Sequence, residues 1–415
     1  MNSKGTKLEG IFHPLTMGYD WEMALLQETM ESAGEKEITR LANDLRTLLP
    51  WSRVGIDLDL LEARLGIIKN WDELLERNQT FLRQAKKVAG KRNYLILPLG
   101  ARPTEEMPIG SHIHVGTVYD YPAATALTNQ MMKYVPCFVA LMCNSPLSRF
   151  QVGGYKSLRV AHNAEWCSTP QRLQHPRFAR PSWGEDTSVK LPSKPTIELR
   201  CGDSTSDPRL MCECTIFTAG VMYGLSRNLE RRSLEYDPDE FFWNSVNRWR
   251  AAKYGLQAIF RWEGREVPVT DVLKEMLNLA EEGINLLGAE VGDLITIAQM
   301  IEKRQTQADF VLTIFELEKD SHRLLRTLAT IFQDEEAFRK YLDRAPVLPL
   351  VEPMDIKDHI LSKITVEITL HDLSLCSPLS PWDLDRVLDE LERDGLIEVK
   401  YDPIWGKMYT RKDLH

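Results

Sequence analysis

Residues 18–26, GYDWEMALL, constrain this chain more than any other stretch. Apolar and polar residues alternate with period 2, which predicts a strand. Asp20 and Glu22 are two apart, so both carboxylates leave one face of the sheet, while Tyr19, Trp21 and Met23 leave the other. Two acids in an otherwise apolar strand are costly to bury without a partner. A cation is one such partner, and the rest of the chain can be searched for groups that would share it.

Two further segments repeat the pattern. In 111–118, SHIHVGTV, His112 and His114 share one face, with Ile113 and Val115 on the other. In 195–202, PTIELRCG, Glu198 and Arg200 share a face opposite Ile197 and Leu199. Residues 53–68, RVGIDLDLLEARLGII, read as two short strands or as a strand and a bend, and in a strand Asp57 and Asp59 would share a face. Taken singly, each pair has an ordinary explanation: a solvated edge, a core histidine, a salt bridge. Three such pairs in three strongly apolar strands point to a site instead. Hard carboxylates with an imidazole suit magnesium or manganese. No Gly-rich loop of the kind that cradles phosphates is present, so phosphates would be held by side chains and metal.

The connecting segments read mostly as helix: 25–49, 72–89 capped by Asp72, 121–142, and then 208–229, 238–260, 269–288, 293–317 and 320–343. Residues 94–99 read as a buried strand. The stretch 161–194 has no period and reads as a long loop, which in a compact domain is usually functional or mobile. Pro346, Pro349 and Pro353 mark a linker over 346–354. The expected domains are therefore 1–345 and 355–415, in line with about 2 to 3 domains for a chain of this length. In 355–415, three helical segments precede a hairpin turning near Asp402–Gly406, a winged helix–turn–helix order.

Composition limits the partners. A net charge of −9 argues against a nucleic-acid coat. Segment 382–394 of the last helix carries six acids against two arginines, so DNA is not expected there either; the module is expected to meet a protein partner or a second copy of the chain, or to be an appended stabilising domain. No apolar run reaches the length of a membrane span and the N-terminus lacks a signal-peptide core, so the expected location is cytoplasmic. Seven scattered cysteines with no metal spacing read as buried thiols.

The motifs also resemble a known family. GYDWEMALL resembles the Gly-x-Glu-x-Glu strand of glutamate–cysteine ligase family 2 and related carboxylate–amine ligases, and GSHIHVGT resembles their Gly-x-His-x-His-Val-Gly strand. NSPLSRFQVGGYKSLR, PTIELRCGDS and NRWRAAKYGL (247–256) are similar to three further motifs of that family, in the same order. The resemblance runs from about residue 15 to about 335.

It implies a glutamine-synthetase-like fold, a curved antiparallel sheet backed by helices; with the winged-helix domain read from 355–415, which lies outside the resemblance, the expected class is α+β. It implies ATP-dependent activation of an amino-acid carboxylate, usually the γ-carboxylate of glutamate, as an acyl phosphate, which an amine such as cysteine then displaces. Cofactors would be ATP and Mg²⁺, or Mn²⁺. By position the resemblance implies metal ligands at Asp20, Glu22, Asp59, His112 and Glu198. It places Arg200, Arg159 and Arg250 on phosphoryl or substrate carboxylate, and His114 and Lys253 by the nucleotide. Three positions depart: Asp20 replaces a Glu, Arg102 stands for a His, and Gly66 stands where a metal-binding Glu is expected, with Glu62 as a substitute if the backbone bends. The alternative reading is a non-catalytic relative that binds nucleotide and acts through its winged helix.

Overall fold

The computed structural model describes residues 10–102, 107–163, 185–227, 229, 238–332, 334, 336–377 and 379–414. Its centre is a seven-stranded antiparallel sheet. The long first strand β1 (Phe12–Gln27) is flanked on one side by β3 (Leu60–Arg64) and then β2 (Gly55–Asp57), and its far end by β4 (Tyr94–Leu97). On the other side lie β5 (Gly110–Val118), β9 (Thr196–Asp203) and β8 (Thr187–Val189). The strands expected at 18–26, 111–118 and 195–202 are thus consecutive neighbours. Residues 53–68 form the two short strands β2 and β3.

The back of β1 is buried against helix. Tyr19, Trp21 and Met23 enter the main core. The Tyr19 hydroxyl donates to Asn78 Oδ1 at 2.5 Å, and Trp21 Nε1 donates to Ser204 Oγ at 3.1 Å. Burying one such aromatic side chain is worth about 1.5–3 kcal/mol, and the paired polar tips avoid the cost of orphaned donors.

The helices are shorter than the periodicity suggested. The first, α1 (Glu35–Leu48), starts ten residues later than expected because β1 extends to Gln27 and a turn follows. In α2 (Trp71–Gly90) the cap is Asn70, whose side chain accepts from Glu73 N, so Asp72 lies inside the helix. The expected 121–142 helix is broken into α3 (Tyr121–Met132) and α4 (Val135–Leu141), with Pro136 at the start of the second piece. A two-strand ribbon β6–β7 (Leu147–Ser148, Gln151–Val152) and the short α5 (Leu158–Ala161) carry the turn-rich segment.

Helix α6 (Pro208–Arg227) packs on β1 and β5. Helix α7 (Pro238–Tyr254) ends six residues early, and the hairpin β10–β11 (Ile259–Trp262, Arg265–Pro268) follows, turning at Glu263 and Gly264 with positive φ. Beyond α8 (Val269–Leu286), the 293–317 segment divides into α9 (Ile295–Lys303) and α10 (Gln307–Glu318) at left-handed Arg304. The 320–343 segment divides into α11 (Ser321–Ile331) and α12 (Ala337–Arg344).

Residues 356–411 hold α13 (Ile356–Lys363), β12 (Ile368–Thr369), α14 (Leu370–Cys376), α15 (Pro381–Arg393) and the hairpin β13–β14 (Ile397–Asp402, Gly406–Arg411), with sheet order β12-β14-β13. They form a second core with Phe242, Val246 and Trp249 of α7. Ser245 Oγ donates to Asp383 at 2.7 Å and Arg386 pairs with Asp239 at 2.9 Å, so this block is docked on α7. Five of the described cysteines are buried; Cys376 is exposed, against expectation. No helix among the described residues is long and apolar enough to cross a membrane.

Candidate metal and phosphate site

Register decides what meets on the open face of the sheet. Antiparallel partners point to the same face. Asp20 faces Arg64 on β3 and His112 on β5; Glu22 faces Glu62; His114 faces Glu198. One surface therefore carries Glu62, Arg64, Asp20, Glu22, both histidines, Glu198 and Arg200.

Ligand atoms of Asp20, His114 and Glu198 lie within 4.8 Å of one another. His114 Nε2 is 3.1 Å from Asp20 Oδ2 and 3.3 Å from Glu198 Oε1. His112 stands beside this triad, with Nε2 3.7 Å from Glu22 and Nδ1 3.9 Å from Glu198. The histidine within the triad is thus His114, where the resemblance implied His112 as ligand and His114 as a nucleotide neighbour. Burial, then the charges of Arg200 and Arg159, push the His112 imidazolium down to about 3, so its ring is neutral at physiological pH.

The acids fall into two groups. Burial alone would raise Asp20, but the His114 hydrogen bond and the charges of His114 and Lys194 hold it well below the carboxylate range. Burial likewise opposes ionisation of Glu198, yet His112, His114, Arg200 and Lys190 hold it down to about 2. Glu22 and Glu62 behave oppositely. Burial pushes each up to about 7; neighbouring acids add to this, against the Gly110 N–H at 2.6 Å on Glu22 and Arg64 on Glu62.

Two cations here had no signal in the sequence. Lys190 Nζ lies 2.5 Å from Glu198 and Lys194 Nζ 3.6 Å from Asp20, both reaching in from the β8–β9 connection, a stretch read as loop. Arg200 pairs with Glu198 at 3.2 Å, and the buried Arg159 donates to the Arg200 carbonyl at 2.9 Å. Arg159 is held by a polar knot centred on Asp203. That carboxylate accepts from Asn144 N and Ser145 Oγ, both at 2.7 Å, and from Ser157 Oγ at 2.9 Å. Gly100 leaves room for it, since a Cβ there would lie 2.4 Å from Asp203 Cγ. Asp203 sits in the motif that pointed to Glu198 and Arg200, but its own role was not read.

Three expected site residues lie elsewhere. Asp59, in the β2–β3 turn, pairs with Arg102 at 2.5 Å and does not join the triad. Glu62 takes the corresponding place on β3 by regular pairing, with no bend needed. Gly66 lies past the end of β3 at φ +76°, and a Cβ on Gly18 would stand 2.7 Å from its carbonyl oxygen. Arg250 pairs with Glu266 at 3.0 Å and with the Ile259 carbonyl. Lys253 lies over the rings of Tyr155, Trp249 and Tyr254, against Met354. The residue of α7 that approaches the sheet is Arg248, which makes a bidentate pair with buried Asp186 at 2.5 and 3.0 Å. Residues two apart on a helix diverge by about 200°, so Arg248 and Arg250 cannot serve one site. Residues 164–184, the bulk of the expected long loop 161–194, are outside the described residues.

The donor set fits a hard divalent cation: two carboxylates and an imidazole at closing distance, on a buried surface with two further acids short of positive charge. No family model matches the chain. Proteins of Sorangium cellulosum (strain So ce56) and Thermobifida fusca (strain YX), both named "Putative glutamate--cysteine ligase 2", are 28% identical over 241 residues and 23% identical over 340 residues. The matches cover 53% and 69% of this chain, and 62% and 83% of those proteins. Among solved structures, the complex of the ubiquitin-like protein Pup with its ligase PafA gives a TM-score of 0.49 at 11% identity, covering 94% of this chain and 84% of that chain. A glutamine synthase homolog gives 0.37 at 13% identity, covering 79% of this chain and 70% of that chain. The chain is thus similar in sequence to curated proteins named "Putative glutamate--cysteine ligase 2", at 23–28% identity.

Proposed function

We propose that this protein is an ATP- and Mg²⁺-dependent carboxylate–amine ligase. The observation that carries the reading is the convergence of Asp20, His114 and Glu198 with Arg200 and Arg159 at their border. Asp20, His114 and Glu198 would hold a divalent cation, with Glu22 and Glu62 as a second acidic pair. Bound there, the cation supplies charge neutralisation for nucleotide phosphates. Arg200 and Arg159 bind the transferring phosphoryl group and position it in line, which is most of what phosphoryl transfer asks of a protein. A carboxylate oxygen, by resemblance the γ-carboxylate of glutamate, attacks the γ-phosphorus and ADP leaves. The amine nitrogen, of cysteine or another amino compound, then attacks the acyl carbon; phosphate leaves and the amine gives up a proton. His112, neutral and wedged between Glu22 and Glu198, orients both.

The wider architecture is read as a glutamine-synthetase-like catalytic domain over 1–345, a linker over 346–354 and a winged-helix domain over 355–415. The helix–strand–helix–helix–hairpin order of the last block supports the latter. ADP release should require both a carboxylate and an amine substrate, and screening glutamate and other acids against a panel of amines tests this. Turnover surviving in both Glu22→Gln and Glu198→Gln would overturn the site. One observation favours a second reading, a non-catalytic nucleotide-binding relative: Lys190 and Lys194 already pair with Glu198 and Asp20. Nucleotide binding without turnover on any substrate pair would select it.

A further inference from the structure

The C-terminal block exposes a cluster of large side chains that its own core does not need. Trp382 is 82% exposed, Tyr401 80%, Ile404 82% and Trp405 69%. They belong to one place. Helix α15 and strand β13 are each about 20 Å long and run back on one another, so the hairpin tip returns to the start of the helix where Trp382 stands. Ion pairs fix this juxtaposition: Lys407, cross-strand partner of Tyr401, reaches Asp385 at 3.6 Å and Asp389 at 3.9 Å. Trp382, Asp385 and Asp389 follow at i, i+3 and i+7, one face of α15. Glu392 continues that face, and all three acids act on the buried Tyr409 beneath. The result is an aromatic tip with a carboxylate row behind it, in which Lys407 is shared by two acids.

We propose that this tip docks a segment of a partner protein in which Lys or Arg residues interleave with apolar ones. The aromatics supply desolvated anchors, and Asp385, Asp389 and Glu392 match the positive charge. Charge decides against the other occupants. Duplex DNA would meet the carboxylate row, and a second copy would set the same acidic row against itself. Large apolar side chains left exposed together at one end of a block mark an interaction surface.

The test uses the full chain and a fluorescent synthetic peptide of alternating Lys and Leu, with anisotropy as readout. Binding should weaken with added salt. Trp382→Ser with Trp405→Ser, and separately Asp385→Asn with Asp389→Asn, should each weaken it roughly tenfold. Glu281→Gln, a neutralised acid on distant α8, should leave it unchanged. All four substituted side chains are on the surface, so unchanged melting temperatures keep the comparison valid. Equal peptide binding by wild type and both double variants overturns the proposal. So does tighter binding of duplex DNA, or a dimer in light scattering that Trp405→Ser dissociates.

Discussion

Replacing Lys190 by Met should make the nucleotide-free protein bind Mn²⁺ more tightly. The ammonium lies 2.5 Å from Glu198 and is itself buried, so it occupies the charge-compensating role that an incoming cation would take. At an effective dielectric of about 20, opposite unit charges at this separation attract by roughly 6–7 kcal/mol before desolvation. A divalent ion about 5 Å from the same ammonium would be repelled by a similar gross amount. Most of this is relieved by desolvation balance and by the lysine swinging aside, leaving on the order of 1.5–3 kcal/mol. The expected gain is therefore about ten- to 150-fold in Mn²⁺ affinity. Free Mn²⁺ can be followed by electron paramagnetic resonance during titration, with Lys190→Arg as a charge-retaining control that should bind as wild type. Lys194 is more than half exposed, so Lys194→Met should change affinity by no more than a few-fold. If Lys190→Met is folded and binds Mn²⁺ no better than wild type, while Glu198→Gln abolishes binding, the lysine does not stand in the cation's way.

Four further outcomes follow from the site and its surroundings. Asp203→Ala removes an acceptor shared by three buried donors and should cost about 3 kcal/mol in denaturant unfolding; turnover should fall as well, because Arg159 loses its platform. Arg248→Met leaves Asp186 buried and unpaired and should cost about 3–5 kcal/mol. Arg250→Met, which breaks a pair with half-exposed Glu266, should cost about 1 kcal/mol and leave turnover intact. Glu62 has its ordinary value of 4.5 raised to about 7 in the fold. Between those values the folded chain keeps a proton that the unfolded chain has released. Wild type should thus lose stability relative to Glu62→Gln as pH rises through that window and regain it as pH falls, and Mg²⁺ should shrink the difference. A pH-independent difference in unfolding free energy would contradict the shift.

What could be read in the sequence was whatever obeyed a short period. Strands with side chains alternating at period 2 announced Asp20, Glu22, His112, His114, Glu198 and Arg200, and the sheet sets their strands side by side. Lys190 and Lys194 were invisible because they come from a connection, where no period links a residue to a direction. The β10–β11 hairpin was hidden by apolar continuity with α7, although Glu263–Gly264 carried the turn signal. Arg250 was misplaced for a reason the sequence did contain. With Arg248 two residues away, helical geometry sends the two guanidinium groups to different sides, and only packing shows which one meets the sheet.

The pairing of β3 decides which of its residues reach the site face. Glu62, not Gly66, is the residue opposite Glu22, and Arg64 is opposite Asp20. The face is consequently divided. On the β8–β9 side, His114, the lysines and Arg200 hold Asp20 and Glu198 ionised. On the β3 side, Glu22 and Glu62 share too little positive charge and retain protons near neutral pH. Asp20 belongs to both halves, hydrogen-bonded to His114 and 3.9 Å from the Arg64 guanidinium. An incoming cation thus meets two different costs. At the triad it must displace or outweigh ammonium groups; at Glu22 and Glu62 it must displace protons. Divalent-ion binding should therefore release protons in proportion to occupancy of the β3 side, and Glu62→Gln should cut that release while leaving the triad's ion in place.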